Sequence, residues 1–296
     1  MDFLRLRTLR ELARRGTMAA VADALSISSS AVSQQIAQLE DEIGTALVER
    51  RGRGVQLTPV GQRLVVHADR IFGIVEEAKT DIAELRNVIA GDLRIAALPS
   101  AASSFIPAAM RQLAIDHPRL DITITTMGPV EALAALRAWQ ADILVIDDIS
   151  INPHALDDAV DTLFLCQDEL YVLLPPGHGL AGEAAVSLGQ LKDDHWALTV
   201  AASPYSKAIR QACNAAGFEP MINGFSDNFE VVLALVEAAC SISVMPRLAL
   251  RNFAGTLIAK PLAPRIQRGI YGVTRQSEGR NPKIAAVLDQ LVKSAP

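Results

Sequence analysis

Residues 26–44 read SISSSAVSQQIAQLEDEIG, a hydroxyl-rich start followed by an amphipathic helix and a glycine. Serine is an indifferent helix former that is favoured at helix starts. The serines therefore either cap the helix or face a partner that needs short polar side chains. The spacing of apolar residues predicts that the buried side of the helix carries Ala31, Val32, Ile36, Leu39 and Ile43.

Two short helices are predicted before this stretch. The first covers residues 4–15 and ends at Gly16, a residue type that accepts the left-handed conformation of a helix end. Thr17 then caps a second helix over Met18–Leu25, and only residues 26–28 separate it from the third. Two short helices with so tight a connection, the second with polar residues at its start, predict a helix-turn-helix.

A hairpin is predicted after the third helix. Residues 47–49 and 55–57 are strand-like, and the glycine-containing turn between them carries Arg51 and Arg53. These arginines could reach a neighbouring backbone or a minor groove. Residues 1–60 hold eight arginines against seven acidic residues, whereas the whole chain has a net charge of −5. A local cluster of arginines on a small domain is suited to contact with phosphate groups.

A long helix begins at Thr58-Pro59, where Thr caps and Pro occupies the first helical position. Its apolar residues recur at alternating spacings of four and three, the seam of a coiled coil. Packing of the helix on its own domain is the alternative. The narrow seam favours a partner helix, most simply the helix over residues 58–89 of a second subunit in a homodimer. The seam consists of Leu64, Ala68, Ile71, Val75, Ala78, Ile82, Leu85 and Ile89.

Strands and helices alternate after Gly91, which predicts an α/β fold with parallel sheets. The predicted elements include strands over residues 163–165 and 170–174 and a helix near residues 187–191. Two such runs predict two lobes, with the final strand and helix returning to the first lobe. The predicted domains are a winged helix-turn-helix (1–58), a dimerising linker helix (59–90) and an effector domain (91–296). Lobe I covers about 91–162 and 266–296, and lobe II about 163–265.

Composition excludes several classes of protein. The chain has 296 residues, 50% of them hydrophobic, which suits about two globular domains. The first residues lack a signal-peptide pattern and no apolar run could span a bilayer, so we expect a cytoplasmic protein without a membrane role. Three distant cysteines predict reduced thiols, and five histidines without paired spacing predict no metal site or cofactor. The cysteines are Cys166, Cys213 and Cys240.

The N-terminal region resembles the DNA-binding region of the LysR-type transcriptional regulators over residues 1–90. The matching positions are Leu6 to Gly16, Gly16-Thr17-Met18, Val21-Ala22, Leu25, Ser28, Ser30-Ala31-Val32-Ser33, Gln35-Ile36, Leu39-Glu40, Gly44, Leu47, Glu49-Arg50, Leu57-Thr58 and Gly61. The remainder resembles the family's effector domain, a two-lobed fold similar to periplasmic binding proteins. Its shorter landmarks are Gly91-Asp92-Leu93-Arg94-Ile95, Pro107, His117-Pro118, Asp142 and Met245-Pro246.

The sequence departs from the family pattern on the surface expected to contact bases. Ser29 stands where the family commonly has Gln, and Gln34 where it often has Arg. The aromatic residues usual in the first helix and the wing are Leu9 and Val48 here. The family has a glycine-rich turn before the Met-Pro pair, where this chain instead has Ala-Cys-Ser at residues 239–241. Operator preference therefore cannot be copied from relatives.

The resemblance implies that the third helix enters the major groove of double-stranded DNA. The predicted base-reading set is Ser29, Ser30, Ser33 and Gln34. Phosphate or sugar contacts are expected from Thr17, Ser28 and Gln35, with Arg51 and Arg53 on the wing. Capping alone is the alternative for Ser28. A dimer would address an interrupted palindrome, and the family implies a homotetramer.

The effector site is expected at the carboxyl ends of the strands, near helix starts. A carboxylate could accept from Ser100, Ser103 or Ser203. Relatives that bind aromatic acids often have a basic residue near 147, where this chain has Asp147. That disfavours a simple anionic effector and allows an amine or several hydroxyls, unless Asp147 and Asp148 are solvated loop charges. The predicted effector-binding set is Ser100, Ser103, Pro129, Asp147, Ala202, Ser203 and Asp227.

The main functional hypothesis is a transcriptional regulator in which a small-molecule effector biases the arrangement of the DNA-binding domains. A solute-binding protein of the transport type is the alternative, because residues 91–296 would look alike in both. An enzyme with Ser100 or Ser203 as nucleophile would need a GxSxG or SxxK context. Neither motif surrounds these serines, so no catalytic residues are predicted.

Overall fold

The computed structural model describes the chain except residues 1, 26, 52–53, 86–88, 157–158, 201–202, 251–255 and 279–280. Within its helices and strands, the side chains of residues 50, 51, 54, 76, 77, 79–81, 83–85 and 277 are also outside the description. The chain forms two compact units. Unit 1 comprises residues 1–82 with 138–140, and unit 2 comprises residues 83–137 with 141–296. Among the described residues, no helix is long and apolar enough to cross a membrane.

The helices and strands mostly follow the predicted order. The helices are α1 (Phe3–Arg15), α2 (Met18–Leu25), α3 (Ser29–Ile43), α4 (Pro59–Leu85), α5 (Pro99–Ser104), α6 (Ile106–Asp116), α7 (Pro129–Arg137), α8 (Pro204–Ala215), α9 (Phe229–Glu237), α10 (Arg247–Leu250) and α11 (Pro282–Ser294). The strands are β1 (Val48–Arg51), β2 (Gly54–Leu57), β3 (Gly91–Ala97), β4 (Leu120–Thr126), β5 (Ile143–Asp147), β6 (Val160–Leu174), β7 (His195–Leu198), β8 (Met221–Phe225), β9 (Ser243–Pro246), β10 (Ile258–Pro261) and β11 (Gln267–Arg275). The predicted helix near residues 187–191 is a 3-10 turn, Leu188–Leu191.

Local capping sets the ends of the first three helices. Gly16 and Gly44 end α1 and α3 in the left-handed conformation, with φ of 72° and 76°. Ser28 caps α3, because its hydroxyl oxygen accepts from the backbone N–H of Ala31 at 3.1 Å. Ile43 lies at the end of α3 and is 37% exposed, so its predicted burial was wrong. The apolar core of unit 1 contains Leu6, Leu9, Leu12, Val21, Ala22, Val32, Ile36, Leu39, Leu47, Val65 and Ala68.

The wing is joined tightly to this core. Strands β1 and β2 pair in antiparallel fashion. The Glu40 carboxylate accepts from the backbone N–H groups of Leu47 and Val48 at 2.7 and 3.0 Å, which fixes the start of β1. A Cβ atom added at Gly61 of α4 would collide with the carbonyl oxygen of Leu47. The close approach of α4 to the wing therefore requires glycine.

The apolar residues of helix α4 are buried at some turns and exposed at others. Leu64, Ala68 and Ile71 pack on the core of unit 1, so packing on its own domain accounts for these members of the predicted seam. Other apolar residues of the helix are exposed, with Ile74 at 60% and Ile82 at 56%, although Leu64 and Ile71 lie on the same side of the helix. At 3.6 residues per turn, these exposed residues fall within an arc of about 80°. We call Val60, Ile74, Ala78 and Ile82 the free stripe of α4.

A buried carboxylate couples α4 to α1. Asp69 is 1% exposed and lies 3.8 Å from the Nε of Arg10 and 3.7 Å from an Nη of Arg14. The Arg10 guanidinium also lies over the ring of Phe72, 4.5 Å from its centroid. Since a buried charge is tolerated only with opposite charge nearby, these arginines hold α4 in register with α1.

Replacement of Asp69 tests this coupling. Asp69→Ala leaves the two arginines facing a vacated buried site and should lower the free energy of unfolding of unit 1 by about 3 kcal/mol. Urea denaturation followed by circular dichroism measures the change. Asp23→Ala removes an exposed carboxylate of α2 and serves as the matched control. Equal, small losses in both variants would show that Asp69 has no coupling role.

The main sheet of unit 2 is mixed rather than parallel. Its strand order is β10-β6-β11-β5-β3-β4, with β9 also paired to β6. Strands β3, β4 and β5 are parallel, whereas β6 and β11 run antiparallel to their neighbours. The expectation of parallel sheets was therefore wrong for β6, β9, β10 and β11. The small sheet of β7 and β8 is parallel.

Strand β6 connects the two lobes. It was predicted as two strands over 163–165 and 170–174, but it is a single strand of 15 residues. Its first part pairs with β11, and its last residues pair with β9 and β10. Strand β11 also pairs with β5, so the end of the chain returns to the sheet of lobe I. Strand β8 and helix α5 were not predicted; the domain and lobe boundaries stay predictions.

Candidate functional site

A cleft of about 400 Å³ lies in unit 2 at the carboxyl ends of β3, β4 and β5. Lobe I contributes residues 98–100, 126–129 and 145–147 to its lining, and lobe II contributes residues around the starts of α8 and α9. Arg268 of β11 completes the lining. The position agrees with the strand-end rule used to choose candidate residues from the sequence.

Five of the predicted effector-binding residues line this cleft: Ser100, Pro129, Asp147, Ser203 and Asp227. Ser103 does not. It is exposed on α5, and its hydroxyl donates to the carbonyl of Ser100 at 3.4 Å. Ser103 lies about one helical turn after Ser100, with which it was predicted to act, but only Ser100 contributes to the lining. Ala202 lies outside the described residues.

Arg268 lines the cleft but was not among the residues predicted from the sequence. It is 3% exposed, and its guanidinium donates to Asp168 Oδ2 from Nε at 3.0 Å and from Nη2 at 2.8 Å. Nη1 donates to Asp147 Oδ2 at 3.0 Å, and Nη2 donates to the Ser100 hydroxyl oxygen at 2.7 Å. We call Arg268, Asp147, Asp168 and Ser100 the floor network of the cleft.

Both carboxylates of the floor network are also held by backbone N–H groups. Asp147 Oδ1 accepts from Ser150 at 2.7 Å, and Asp168 Oδ1 accepts from Leu248 at 3.1 Å. Each aspartate is 4% exposed, so the interpretation of Asp147 as a solvated loop charge was wrong. That interpretation suits Asp148, which is exposed.

A group of hydroxyls forms the opposite wall. Ser203 caps α8, where its Oγ accepts from the N–H of Ser206 at 3.0 Å and lies 3.1 Å from Thr199 Oγ1. Tyr205 donates to the carbonyl of Val244 at 3.3 Å. Burial raises the pKa of the Tyr205 hydroxyl; the charge of Arg268 opposes this shift and the two floor carboxylates add to it. Tyr205 therefore remains a hydrogen-bond donor.

The polar start of α3 is exposed in unit 1. All four members of the predicted base-reading set are exposed: Ser29, Ser30, Ser33 and Gln34. Ala37 is also exposed, three residues after Gln34 and four after Ser33, so it lies on the same helix face. Ala37 was not among the residues predicted from the sequence, although its helical spacing from Ser33 and Gln34 was a sufficient signal. A methyl group at this place could contact a thymine methyl.

Three of the predicted phosphate or sugar contacts already have hydrogen bonds within the protein. Thr17 Oγ1 accepts from the N–H of Ala20 at 3.2 Å, which makes Thr17 the cap of α2. Ser28 has the capping role described above. The side-chain oxygen of Gln35 accepts from the hydroxyl of Thr8, so the amide NH₂ of Gln35 is the group left to face DNA. Arg53 and the side chain of Arg51 lie outside the described parts of the chain.

The cysteines lie away from the cleft lining. Cys166 and Cys213 are buried, Cys240 is exposed, and all three are free thiols. Burial raises the pKa of the Cys213 thiol to about 11, with a further increase from the charge of Glu219. A thiol with a raised pKa is a poor nucleophile near neutral pH. Over the described residues, no group of three or more His, Cys, Asp or Glu side chains could hold a metal ion.

Two family models match this chain. Residues 3–62 match the bacterial regulatory helix-turn-helix protein of the lysR family, and residues 86–296 match the LysR substrate binding domain. The two matches cover the polar face of α3 and the cleft, respectively. The second match alone spans more than half of the chain.

Relatives and solved structures agree with these matches. The chain is 26% identical to the transcriptional dual regulator GltC of Bacillus subtilis, over 83% of this chain and 81% of GltC. It is 30% identical to the RuBisCO operon transcriptional regulator of Allochromatium vinosum, over 72% and 68% of the two chains. A full-length OxyR variant from Pseudomonas aeruginosa has the same fold, with a TM-score of 0.77 at 24% identity, covering 100% and 98%. Full-length CbnR in complex with its target DNA also has this fold, with a TM-score of 0.70 at 20% sequence identity over 100% of both chains.

Replacement of Arg268 tests the floor network. Arg268→Met leaves two buried carboxylates without their shared cation and should lower the free energy of unfolding of unit 2 by roughly 3–5 kcal/mol. Arg265→Met is the control, because the Arg265 side chain is 69% exposed and its ion pair with Glu169 should contribute less than about 1 kcal/mol. Urea denaturation measures both changes. A small loss in Arg268→Met would contradict the central role of the guanidinium.

Proposed function

The chain belongs to the LysR family of DNA-binding transcriptional regulators, and we propose that a small molecule in the cleft of unit 2 controls DNA binding by α3. The observation that carries this proposal is the joint presence of an exposed polar helix face and a cleft with a floor of hydrogen-bonded charged side chains. Each is a binding surface, and the two belong to different parts of one chain.

Helix α3 is the proposed recognition helix. Ser29, Ser30, Ser33 and Gln34 lie exposed near its start, where recognition helices contact base edges. Gln34 can bond an adenine bidentately, and short serines let the helix backbone approach the groove closely. Asp41 and Glu42 follow near the other end, so repulsion from phosphates keeps that end away from the groove.

Backbone contacts of the DNA are proposed around this helix. The capped starts of α2 and α3, at Thr17 and Ser28, can present further N–H groups to phosphates. Gln35 can donate through its amide, and Arg51 and Arg53 of the wing can supply cations. These contacts set position on the DNA, while the α3 face reads sequence.

The free stripe of α4 is the proposed dimer contact. Exposed isoleucines at positions 74 and 82 leave an apolar stripe on a helix of 27 residues. Pairing with the same stripe of a second subunit would remove this area from water. A two-fold dimer would bind two half-sites of an interrupted palindrome, and a pair of dimers would form the homotetramer.

Effector control requires a ligand with different affinities for two states of the protein. The cleft lies between lobes that share β6, so a ligand touching both walls favours the closed arrangement. We propose that this difference is passed to the DNA-binding heads. The protein would act in the cytoplasm, where its DNA target lies.

Two other functions have less support. An enzyme would need an activated nucleophile, but Ser203 is a helix cap and the Ser100 oxygen accepts from Arg268, which is not a general base. We therefore propose no catalytic reaction. A solute-binding protein would have no use for the helix-turn-helix of residues 3–62.

Gln34→Ala tests base reading by α3. Loss of a bidentate contact should weaken binding to the specific site by about tenfold, while binding to random DNA changes little. A gel-shift assay on the region upstream of the coding sequence, with random competitor and increasing salt, measures both affinities. Ser33→Ala should show a similar preference, and Gln112→Ala, an exposed glutamine of α6, is the control. Equal losses on specific and random DNA would assign these residues to positioning only.

Ile74→Asp combined with Ile82→Asp tests the dimer contact. Two charges on the free stripe should convert the dimer to monomers, because pairing would bury unpaired carboxylates. Light scattering measures the mass. Val66→Asp is the control, since Val66 is 43% exposed on the same helix but lies about 120° around it from the stripe. Ile71 is not suitable, because it packs on the core of its own unit. An unchanged mass in the double variant would contradict the proposal.

A further inference from the structure

The cleft has an excess of negative charge. Its ionisable lining residues, among those described, are Asp147, Asp227, Arg268 and the protonated Tyr205. Asp168 lies directly behind Arg268 and shares its guanidinium with Asp147. Two carboxylates therefore divide one cation at the floor, and Asp227 adds a third carboxylate at the rim. In a partly desolvated cleft such an excess is a strong electrostatic preference.

Arg268 has little capacity left for an anion. A guanidinium has five N–H donors, and the floor network accounts for four of them. An anionic ligand that replaced one of these bonds would leave a buried carboxylate with a weaker partner and would lie next to Asp147. Both effects oppose anion binding.

Three of the helices whose starts lie around the cleft begin with proline. Helices α5, α7 and α8 begin at Pro99, Pro129 and Pro204, which have no backbone N–H. At α8 the N–H of Ser206 already donates to Ser203. Each of these three starts therefore has one N–H donor fewer for an anion. Helix α9 begins at Phe229 instead, and its cap residue Asn228 accepts from the N–H of Glu230.

We infer that the effector is a small organic cation, a primary amine or guanidine on an apolar skeleton, whose charge lies between Asp147 and Asp227. The inference rests on the proposed function, because it assigns a ligand class to the proposed effector cleft. Asp147 keeps acceptor capacity beyond its bonds to Arg268 and Ser150, since a carboxylate has about four lone-pair sites. Apolar lining residues such as Val145, Val200 and Phe229 contact the skeleton.

The two aspartates also give the ligand a way to close the cleft. Asp147 belongs to β5 of lobe I, and Asp227 precedes α9 in lobe II. Their like charges repel when the lobes approach. A cation between them reverses this repulsion, so it binds the closed arrangement more tightly than the open one. That differential affinity is what control of a two-state protein requires.

Three probes with the same five-carbon skeleton test the inference on the full-length protein without DNA. Cadaverine carries two amines, δ-aminovalerate one amine and one carboxylate, and glutarate two carboxylates. We expect cadaverine to raise the melting temperature, δ-aminovalerate to raise it less, and glutarate to leave it unchanged, because a ligand of the native state stabilises that state. Stabilisation by glutarate alone, or by none of the three, would overturn the inference.

Variants locate the bound amine. Asp227→Asn should weaken cadaverine binding, measured by calorimetry, by about fivefold, the effect of losing one partly exposed charge pair. Asp147→Asn should weaken it further, because that carboxylate is buried. Asp193→Asn removes an exposed carboxylate elsewhere in lobe II and should bind cadaverine like the unmodified protein. Equal affinities in all three variants would place the amine outside the cleft and overturn the assignment.

A gel shift separates failure of this inference from failure of the proposed function. If glutarate binds and changes specific DNA binding, the ligand class is wrong but effector control stands. If cadaverine binds in the cleft and specific DNA binding does not exist, the ligand class stands and the regulator proposal is wrong.

Discussion

The buried guanidinium of Arg268 is the contact on which the geometry of the cleft depends. Through it β11 is bonded to β5 at Asp147, to β6 at Asp168 and to α5 at Ser100, and Asp168 in turn holds the start of α10 at Leu248. Each of these groups has left water, so removal of one member leaves charged or polar atoms buried without compensation. The network is therefore stable only as a whole, and it gives the cleft a rigid floor.

A rigid floor gives the walls a defined role. Strand β6 passes through both lobes and carries Asp168 in its middle, so the lobes meet at a strand that the floor network holds in place. The wall residues Ser203 and Asp227 instead lie in the segments that precede α8 and α9 in lobe II. A ligand on the floor can thus interact with groups whose position depends on closure. The charges that face the ligand, here an excess of carboxylates, select its chemical class.

Different sides of helix α4 also have different roles within unit 1. One face carries Asp69 between the arginines of α1 and packs on the helix-turn-helix core, which fixes the helix relative to α3. The free stripe is exposed on the side of the helix opposite Asp69 and is the surface proposed to contact a second subunit. The position of a recognition helix on DNA would then follow from how two stripes pair, since the path from stripe to α3 runs through packed and charge-paired side chains.

The amino-acid sequence by itself determined α1 to α4, the wing and the exposed serine face of α3, because caps, glycine ends and helical periodicity act between residues a few positions apart. It also placed Ser100, Asp147, Ser203 and Asp227 near one cleft through the strand-end rule. Only the tertiary structure decided that β6 is continuous, that the sheet is mixed, and that Arg268 occupies the floor. Residues 147 and 268 meet through the pairing of β5 with β11. Such register depends on long-range packing and leaves no periodic signal in the local sequence.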